Sequence, residues 1–400
     1  MILPPILEII SKELTNYGAR AILVGGAVRD SFLNLEIKDY DIEVYGLDTI
    51  DELESILLKY GQVNLVGKSF GILKFNDKKD EYDFSFPRLE SKVSKGHRGF
   101  KVICDGNLDF KEASRRRDFT INAMGYDIIS KEYLDPFNGL DDIKSRTLRA
   151  VESRTFIEDP LRVYRAVQFS ARFNYSLSND TKQLCLDMVD KGLLDELPKE
   201  RVYEEFKKLL LKSSKPSVGF NLMAELGIVD FNSLKAVDRV AKSKESLEII
   251  LASLLHKLDK DSANIFLYKL TNNHKFISSV VALSQEYSSP YKLYNCQNSN
   301  RAIRELATRV NISKLLKLIE DREVRDWLYS SSLRLGVLNE PLKALISGKD
   351  LISLGIKPSP KFKEILKYIY QLQLNGDIAS KDEALEHLKY YNKGDIYVSR

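Results

Sequence analysis

Cysteine is scarce in this chain of 400 residues. Cys104, Cys185 and Cys296 are odd in number and far apart, which excludes a disulfide framework or a cysteine-rich metal centre and fits a reducing compartment. Histidine is nearly as rare: His97, His256, His274 and His387 are too scattered for a histidine-based metal cluster. No apolar run reaches the roughly 18 residues that a membrane span needs. The opening MILPPILEII has no basic stretch ahead of a long apolar one. Net formal charge is only +4, so a nucleic-acid surface has to come from local clustering and not from a global excess. Internal repeats and low-complexity tracts are absent too. The expectation is a soluble, cytoplasmic protein without membrane contact, long enough for about two to four domains.

What is present is concentrated at residues 23–46, LVGGAVRDSFLNLEIKDYDIEVYG. An apolar run, Ala21 to Val24, leads into Gly25-Gly26, with Arg29 and Asp30 following at helical spacing. A strand that ends on paired glycines lets a phosphate approach the backbone, since no Cβ obstructs it. The amides opening the next helix are then suited to an anion. Asp39 and Asp41 are one residue apart within an alternating pattern, so on a strand both point to one face. Side by side they repel unless a hard cation such as Mg²⁺ lies between them. Each element has a bland counterpart, a turn for the glycines and a solvated strand face for the aspartates. Together they suggest phosphoryl or nucleotidyl transfer.

Residues 5–18 read as an amphipathic helix, and AILVGG, DYDIEVYG, GILKFND and YDFSFPR as strands, with a helix over 49–58. From Glu158 onward helical periodicity dominates: LRVYRAVQFSARF, ERVYEEFKKLLLKSS and SLEIILASLLHKL are examples, and SSKPS at 213–217 breaks the run. Two further segments carry chemistry. RRRDFTINAMGY at 115–126 brings Arg116, Arg117, Asp118 and Asn122 together, guanidinium for phosphate oxygens, carboxylate and amide for hydroxyls. Its bland counterpart is a charged helix start. In EDPLRVYR at 158–165, Pro160 suits a first helical turn with Asp159 as its cap. Asp159, Arg162 and Arg165 then line one side of the helix. A carboxylate and a guanidinium so placed can read the Watson–Crick edge of cytosine or adenine, both of which carry an amino group; an ordinary salt bridge three residues apart is the alternative.

At this point the chain resembles the class II tRNA nucleotidyltransferases, the CCA-adding family that includes bacterial poly(A) polymerases. It does so through GGAVRD and DYD at 25–41, RRDFTINAM at 116–124, DPFNGLDDI at 135–143, EDPLRVYRAVQF at 158–169 and ERVYEEFKKLL at 200–210; GKDLISLGIKPSPKF at 348–362 is similar to a bacterial C-terminal segment. The resemblance implies an α+β fold: a polymerase-β-like nucleotidyltransferase head with a mixed sheet, followed by an all-α neck, body and tail. Its parts would be a head at 1–140, a neck at 141–215 and a tRNA-binding body and tail at 216–400. By the same resemblance Asp39 and Asp41 would hold Mg²⁺ in a two-metal mechanism, with Asp83 as the candidate third carboxylate. Gly25, Gly26 and Arg29 would meet the triphosphate; Arg116, Arg117, Asp118 and Asn122 would line the sugar and phosphate pocket; Glu158, Asp159 and Arg162 would select CTP or ATP, with Arg165 one turn on. The tRNA acceptor and TΨC arms would be held through phosphates, with Lys207, Lys208, Lys212, Lys215, Arg301, Arg304, Arg309, Lys314 and Lys317 as candidates. No obligate protein partner is implied. The segment 87–114 resembles the loop of complete CCA enzymes; A addition alone, CC addition, poly(A) synthesis and a non-catalytic RNA-binding relative stay open. His256 is followed by Lys257, not Asp, so a metal-dependent phosphohydrolase module is not expected.

Overall fold

The computed structural model describes residues 1–66, 71–92, 100–231, 234–296 and 299–391. Its chain contacts divide it into two units, Met1–Phe231 and Asn232–Arg400.

The first unit opens with helix α1 (Pro5–Thr15), started by Pro5 at a position where a missing amide costs nothing. Strand β1 (Arg20–Val24) follows and runs into α2 (Gly26–Phe32); β2 (Tyr40–Tyr45) and α3 (Ile50–Leu57) come next. Thr49 and Glu52 form a reciprocal capping box that fixes where α3 begins. Strands β3 (Gln62–Val66), β4 (Ile72–Asn76) and β5 (Glu81–Ser85) complete one side of a seven-stranded sheet, while β8 (Gly125–Asp127) and β9 (Tyr133–Leu134) complete the other. The order is β3-β4-β5-β2-β1-β8-β9. Only the β2–β5 pair is parallel; every other neighbouring pair is antiparallel, so the sheet is mixed. A separate hairpin of β6 (Arg88–Lys92) and β7 (Phe100–Cys104) leaves the sheet after β5.

β2 is central, and from Ile42 onward every residue of it is buried. That burial accounts for its apolar and aromatic content: Leu23, Ile42, Val44, Leu73, Phe75 and Phe84 share one buried face of the sheet, and Ile22, Val24 and Tyr45 pack with Phe110 and Ala113 on the other. After β7 come α4 (Phe110–Ser114), a 3-10 turn at Thr120–Asn122, α5 (Gly139–Lys144) and α6 (Ser153–Glu158). Then α7 (Leu161–Phe173), α8 (Asn179–Asp190), α9 (Lys199–Lys212) and α10 (Pro216–Glu225) form a helical layer. Arg115–Asp118 is therefore not a charged helix start: it is the link between α4 and a 3-10 turn whose residues are buried. Ser213 ends α9 and Pro216 starts α10, so the helices break at SSKPS as its composition predicts. α10 nonetheless packs into the first unit, with Gly219 so close that a Cβ there would meet the Val167 carbonyl at 3.1 Å and the Ala171 Cβ at 3.2 Å.

The second unit is helical in all its described elements, from Lys235–Lys242 to Lys381–Tyr391. One apolar cluster within it joins Ile346, Leu351, Ile365, Ile369, Ile378, Ala384 and Leu388. Among the described residues no helix is long and apolar enough to cross a membrane.

Candidate active site

The carboxylates come first, because strand geometry places them. Asp39 is exposed, one position ahead of β2, and Asp41 is the second residue of that strand. β5 runs parallel beside it with Asp83 directly opposite Asp41. A sequence separation of 42 residues thus becomes a contact between neighbours on one sheet face. Burial by the surrounding protein raises the Asp41 pKa; Asp83, Asp39 and Glu43 push it further up and Arg117 opposes them. Asp83 also lies 3.7 Å from the Lys74 ammonium, a half-buried pair. Three aspartates with only oxygen donors and mutual repulsion suit a hard divalent cation. Among the described residues no group of three His, Cys, Asp or Glu is gathered tightly enough to cage a metal. Mg²⁺ characteristically takes one or two carboxylates and completes its shell with water and substrate phosphates, so this donor set fits it.

Next to the carboxylates lies a cleft of about 450 Å³. Seven arginines against three aspartates line it, an excess of positive charge suited to a polyphosphate. The glycine turn forms one wall. Gly25 has φ +70° and donates its amide to the Met124 carbonyl at 3.2 Å. A Cβ there would fall 2.8 Å from Arg117 Nη1. Gly25→Ala is accordingly expected to destabilise the chain by ~1–2 kcal/mol from the left-handed backbone alone and to displace Arg117 from the cleft wall, read as a lowered melting temperature together with weakened nucleotide binding.

Glu43, missed by the sequence reading, is 2% exposed. Its Oε1 accepts from Arg116 Nη2 and Arg117 Nη2, each at 2.9 Å, and its Oε2 accepts from the Tyr45 hydroxyl at 2.8 Å. Burial raises its pKa, but the two guanidiniums outweigh that and hold it below the ordinary value. Arg116 and Arg117 both line the cleft, so each arginine proposed for phosphate is anchored from behind.

The remaining sequence candidates are tied into one continuous network. Arg29 is buried, donates to Asn122 Oδ1 at 2.5 Å and to Asp30 at 2.8 Å, and stands over the rings of Phe169 and Phe173 at 5.3 and 4.8 Å. Asn122 donates in turn to Asp118 Oδ1 at 2.9 Å. Asp118 Oδ2 receives Arg165 at 2.7 Å from Nε and 2.6 Å from Nη2, and Arg165 also approaches Glu205 at 3.9 Å. Burial would raise the Asp118 pKa; Arg165, Asn122 and Arg162 overcome this and bring it down to about 2. Arg29, Asp118, Asn122 and Arg165 line the cleft while being held by one another.

α7 presents the selecting side. Asp159 precedes it, its Oδ1 accepting from the Leu161 amide at 3.2 Å. Its Oδ2 accepts from Arg201 of α9 at 3.0 Å, so its ion-pair partner is not Arg162, three residues on. Arg162 reaches across instead and donates to the Arg116 carbonyl. Asp159, Arg162 and Arg201 all face the cleft; Glu158, the last residue of α6, is not among its lining. Arg88, at the start of β6, is. Sequence reasoning quoted Arg88 and Arg201 inside longer segments without assigning them. For Glu43 the signal was present, since it continues the two-residue alternation of Asp39 and Asp41.

The basic residues assigned to RNA are engaged to different degrees. On α9, Lys207 and Lys208 lie 3.5 and 2.8 Å from Glu204 and Glu205, and Lys212 is exposed at the helix end. In the second unit Arg301, Arg309, Lys314 and Lys317 pair with Glu305, Glu286, Glu248 and Glu245 at 2.9, 2.6, 2.6 and 2.6 Å. Partly exposed pairs of this kind are worth little and yield to a phosphate. Arg304 differs: Nη1 donates to the Leu374 carbonyl at 3.0 Å and lies against Gly376, a structural position. His256 stacks on Tyr287 at 4.1 Å with Nδ1 2.8 Å from the Ser253 carbonyl, and burial lowers its pKa.

Comparison with known proteins agrees with this architecture. Residues 21–149 match the family described as the poly A polymerase head domain, and residues 174–232 one described as a probable RNA and SrmB-binding site of polymerase A. A multifunctional CCA protein of Mannheimia succiniciproducens is 40% identical over 210 residues, 51% of this chain and 47% of its own length. That of Pasteurella multocida is 37% identical over 243 residues, 58% of this chain and 55% of its own length. The chain thus spans about half the length of the curated relatives it matches. Among solved structures, the Bacillus stearothermophilus CCA-adding enzyme in complex with CTP has a TM-score of 0.74 at 22% identity, covering 98% of this chain and 100% of its own. The Thermotoga maritima CCA-adding enzyme complexed with tRNA-CCA has a TM-score of 0.66 at 22% identity, covering 98% and 96%. At such identities the likeness establishes the fold alone, a mixed-sheet head followed by helices.

Proposed function

We propose that this chain, which carries a poly A polymerase head domain at residues 21–149, adds CCA to the 3′ end of tRNA from CTP and ATP without a nucleic-acid template. One observation carries the reading: Asp41 on β2, the arginines after α4 and the start of α7 all face a single cleft. The CTP and tRNA held by the structural neighbours support it. The oxygen of the tRNA 3′-hydroxyl would bond to the α-phosphorus of the nucleotide. The bond from that phosphorus to the bridging oxygen would break, pyrophosphate leaving as the hydroxyl proton passes to water. Asp39, Asp41 and Asp83 are the residues that would hold Mg²⁺, which when bound neutralises charge on the reacting phosphates.

The chain's own residues do the rest. Gly25 and Gly26 let the triphosphate approach the backbone, and Arg116 and Arg117 meet its oxygens. Asp159 accepts from the amino group of cytosine or adenine, and Arg162 donates to a ring acceptor. Arg29, Asn122, Asp118 and Arg165 hold these groups at fixed separation. The acceptor and TΨC arms would lie against Lys207, Lys208 and Lys212 of α9 and the basic residues of the second unit, through phosphates and without sequence choice. The head, neck and body boundaries at 140 and 215, and a cytoplasmic location, belong to the same reading.

Addition of the terminal A alone is the second reading, because A-adding relatives share the loop segment 87–114; its residues 93–99 lie outside the described residues. The test uses tRNA ending before CCA, after CC or after CCA, each with labelled CTP, ATP or both. Extension of the first substrate to CCA and no further is the expected product. Extension only of the CC-ended tRNA indicates A addition, a halt at CC indicates CC addition, and a growing A ladder indicates poly(A) synthesis. No extension of any of them defeats the catalytic reading.

A further inference from the structure

We propose that Glu43 is a positioning residue for the nucleotide triphosphate, acting through Arg116 and Arg117. The inference rests on the nucleotidyl-transfer reading above and adds to it a residue that touches no substrate.

A guanidinium on a long flexible stem loses rotamer freedom when it grips a phosphate, and that loss weakens the grip. The loss is avoided when the side chain is already held in its working position. Glu43 does this for two arginines at once. Its Oε1 takes a hydrogen bond from the Nη2 of each, both at 2.9 Å, from a position with almost no solvent exposure. Its second oxygen is fixed by the Tyr45 hydroxyl at 2.8 Å, so the carboxylate has no freedom to turn away. Glu43 and Tyr45 are two apart on β2 and belong to the same strand face, which makes the arrangement a property of the central strand itself.

Charge matters as much as orientation. Two adjacent guanidiniums repel, and a carboxylate shared between them offsets that repulsion. Glu43 offsets part of their charge from behind the cleft that both arginines line. Arg117 is further constrained by its Nη1 contact with the Gly25 turn and a 3.4 Å hydrogen bond to the Asn122 carbonyl. The same bonds remove Glu43 from the metal set: although it shares a strand face with Asp41, its oxygens are committed to Arg116, Arg117 and Tyr45.

The test is Glu43→Gln, which keeps the shape and an acceptor oxygen but removes the charge. The expected result is a rise of at least ~10-fold in KM for both CTP and ATP, with a smaller change in kcat. In an Arg117→Lys background Glu43→Gln should cost much less than it does alone, since the anchored fork is already gone. Tyr45→Phe, which removes one hydroxyl and keeps the ring, should raise both KM values ~2–3-fold in the same direction; it decides the matter if Glu43→Gln does not fold. Unchanged KM in a folded Glu43→Gln, or equal cost in the Arg117→Lys background, overturns the proposal, as does unchanged KM in Tyr45→Phe where the Gln variant is unfolded. Wild-type protein that neither binds CTP or ATP nor incorporates them defeats the nucleotidyl-transfer reading instead, so the two failures are distinguishable.

Discussion

Asp41→Asn should lower nucleotide incorporation by ~10³-fold or more while leaving the chain folded. The substitution removes one negative charge from a trio in which Asp41 already feels repulsion from Asp39 and Asp83. Relief of repulsion makes the variant no less stable than the wild type, so loss of activity cannot be assigned to unfolding. On the proposed reading, what would be lost is a donor to a divalent cation at the reacting phosphate. Each 1.36 kcal/mol of lost transition-state stabilisation is tenfold in rate, and one metal contact is worth several kcal/mol, hence about three decades. Incorporation of labelled CTP into tRNA lacking CCA, followed at saturating substrate, measures the effect. Binding of tRNA, measured separately, should be nearly unchanged. Activity within tenfold of wild type would show that the cation is held elsewhere.

Asp118→Asn should have the largest effect on stability, about 3 kcal/mol, because it breaks a buried ion pair and leaves the Arg165 guanidinium without its principal counter-charge. Total stability of a domain is of order 5–15 kcal/mol, so a shift of this size is plain in a denaturant midpoint. Its pH dependence follows from the folded carboxylate lying at about 2, below its ordinary value of 3.8. A carboxylate depressed in the folded state contributes stability that is complete above the unfolded pKa and is lost as pH falls through the folded one. Wild type and Asp118→Asn should therefore differ fully at pH 5 and above, and converge as pH is lowered from about 4 toward 2. A constant gap across that range would mean that Asp118 is not the charged end of the network.

Much of this was legible in the sequence, and the reasons are local. β1 announces itself by its apolar run, β2, β4 and β5 by alternation, and α3 by the Thr49–Glu52 box, because short-range geometry decides them. Gly25 reads as a special backbone position, and it has a positive φ. Asp39 and Asp41 are close in the chain, so strand periodicity alone relates them. What sequence does not carry is the identity of partners across long separations. Asp159 looks like half of a pair with Arg162, three residues on, yet Arg201 takes that place from α9 and Arg162 turns to the Arg116 carbonyl. Arg115–Asp118 resembles a helix start because its charges suit one, but packing of Phe119 and Ile121 makes it the link into a buried 3-10 turn at Thr120–Asn122. Glu43 continues the alternation of Asp39 and Asp41, but its partners show only when two arginines 73 and 74 residues later in the chain fold over it.

The parallel pairing of β2 with β5 also has a bearing on how the chain folds. The strands on either side of that pair meet their neighbours antiparallel, and β3 and β4 form by local closure. The β2–β5 contact instead closes a loop of 42 residues, counted from Asp41 to Asp83. Its entropy cost has to be met before any contact across it is gained. Asp83 consequently reaches Asp41 later than the local β3–β4 and β4–β5 closures form, while the β1–β8 pairing, Ile22 to Asp127, closes a longer loop still. A nascent chain that has completed the glycine turn and set out Asp39 and Asp41 therefore still lacks its third carboxylate until β5 pairs with β2.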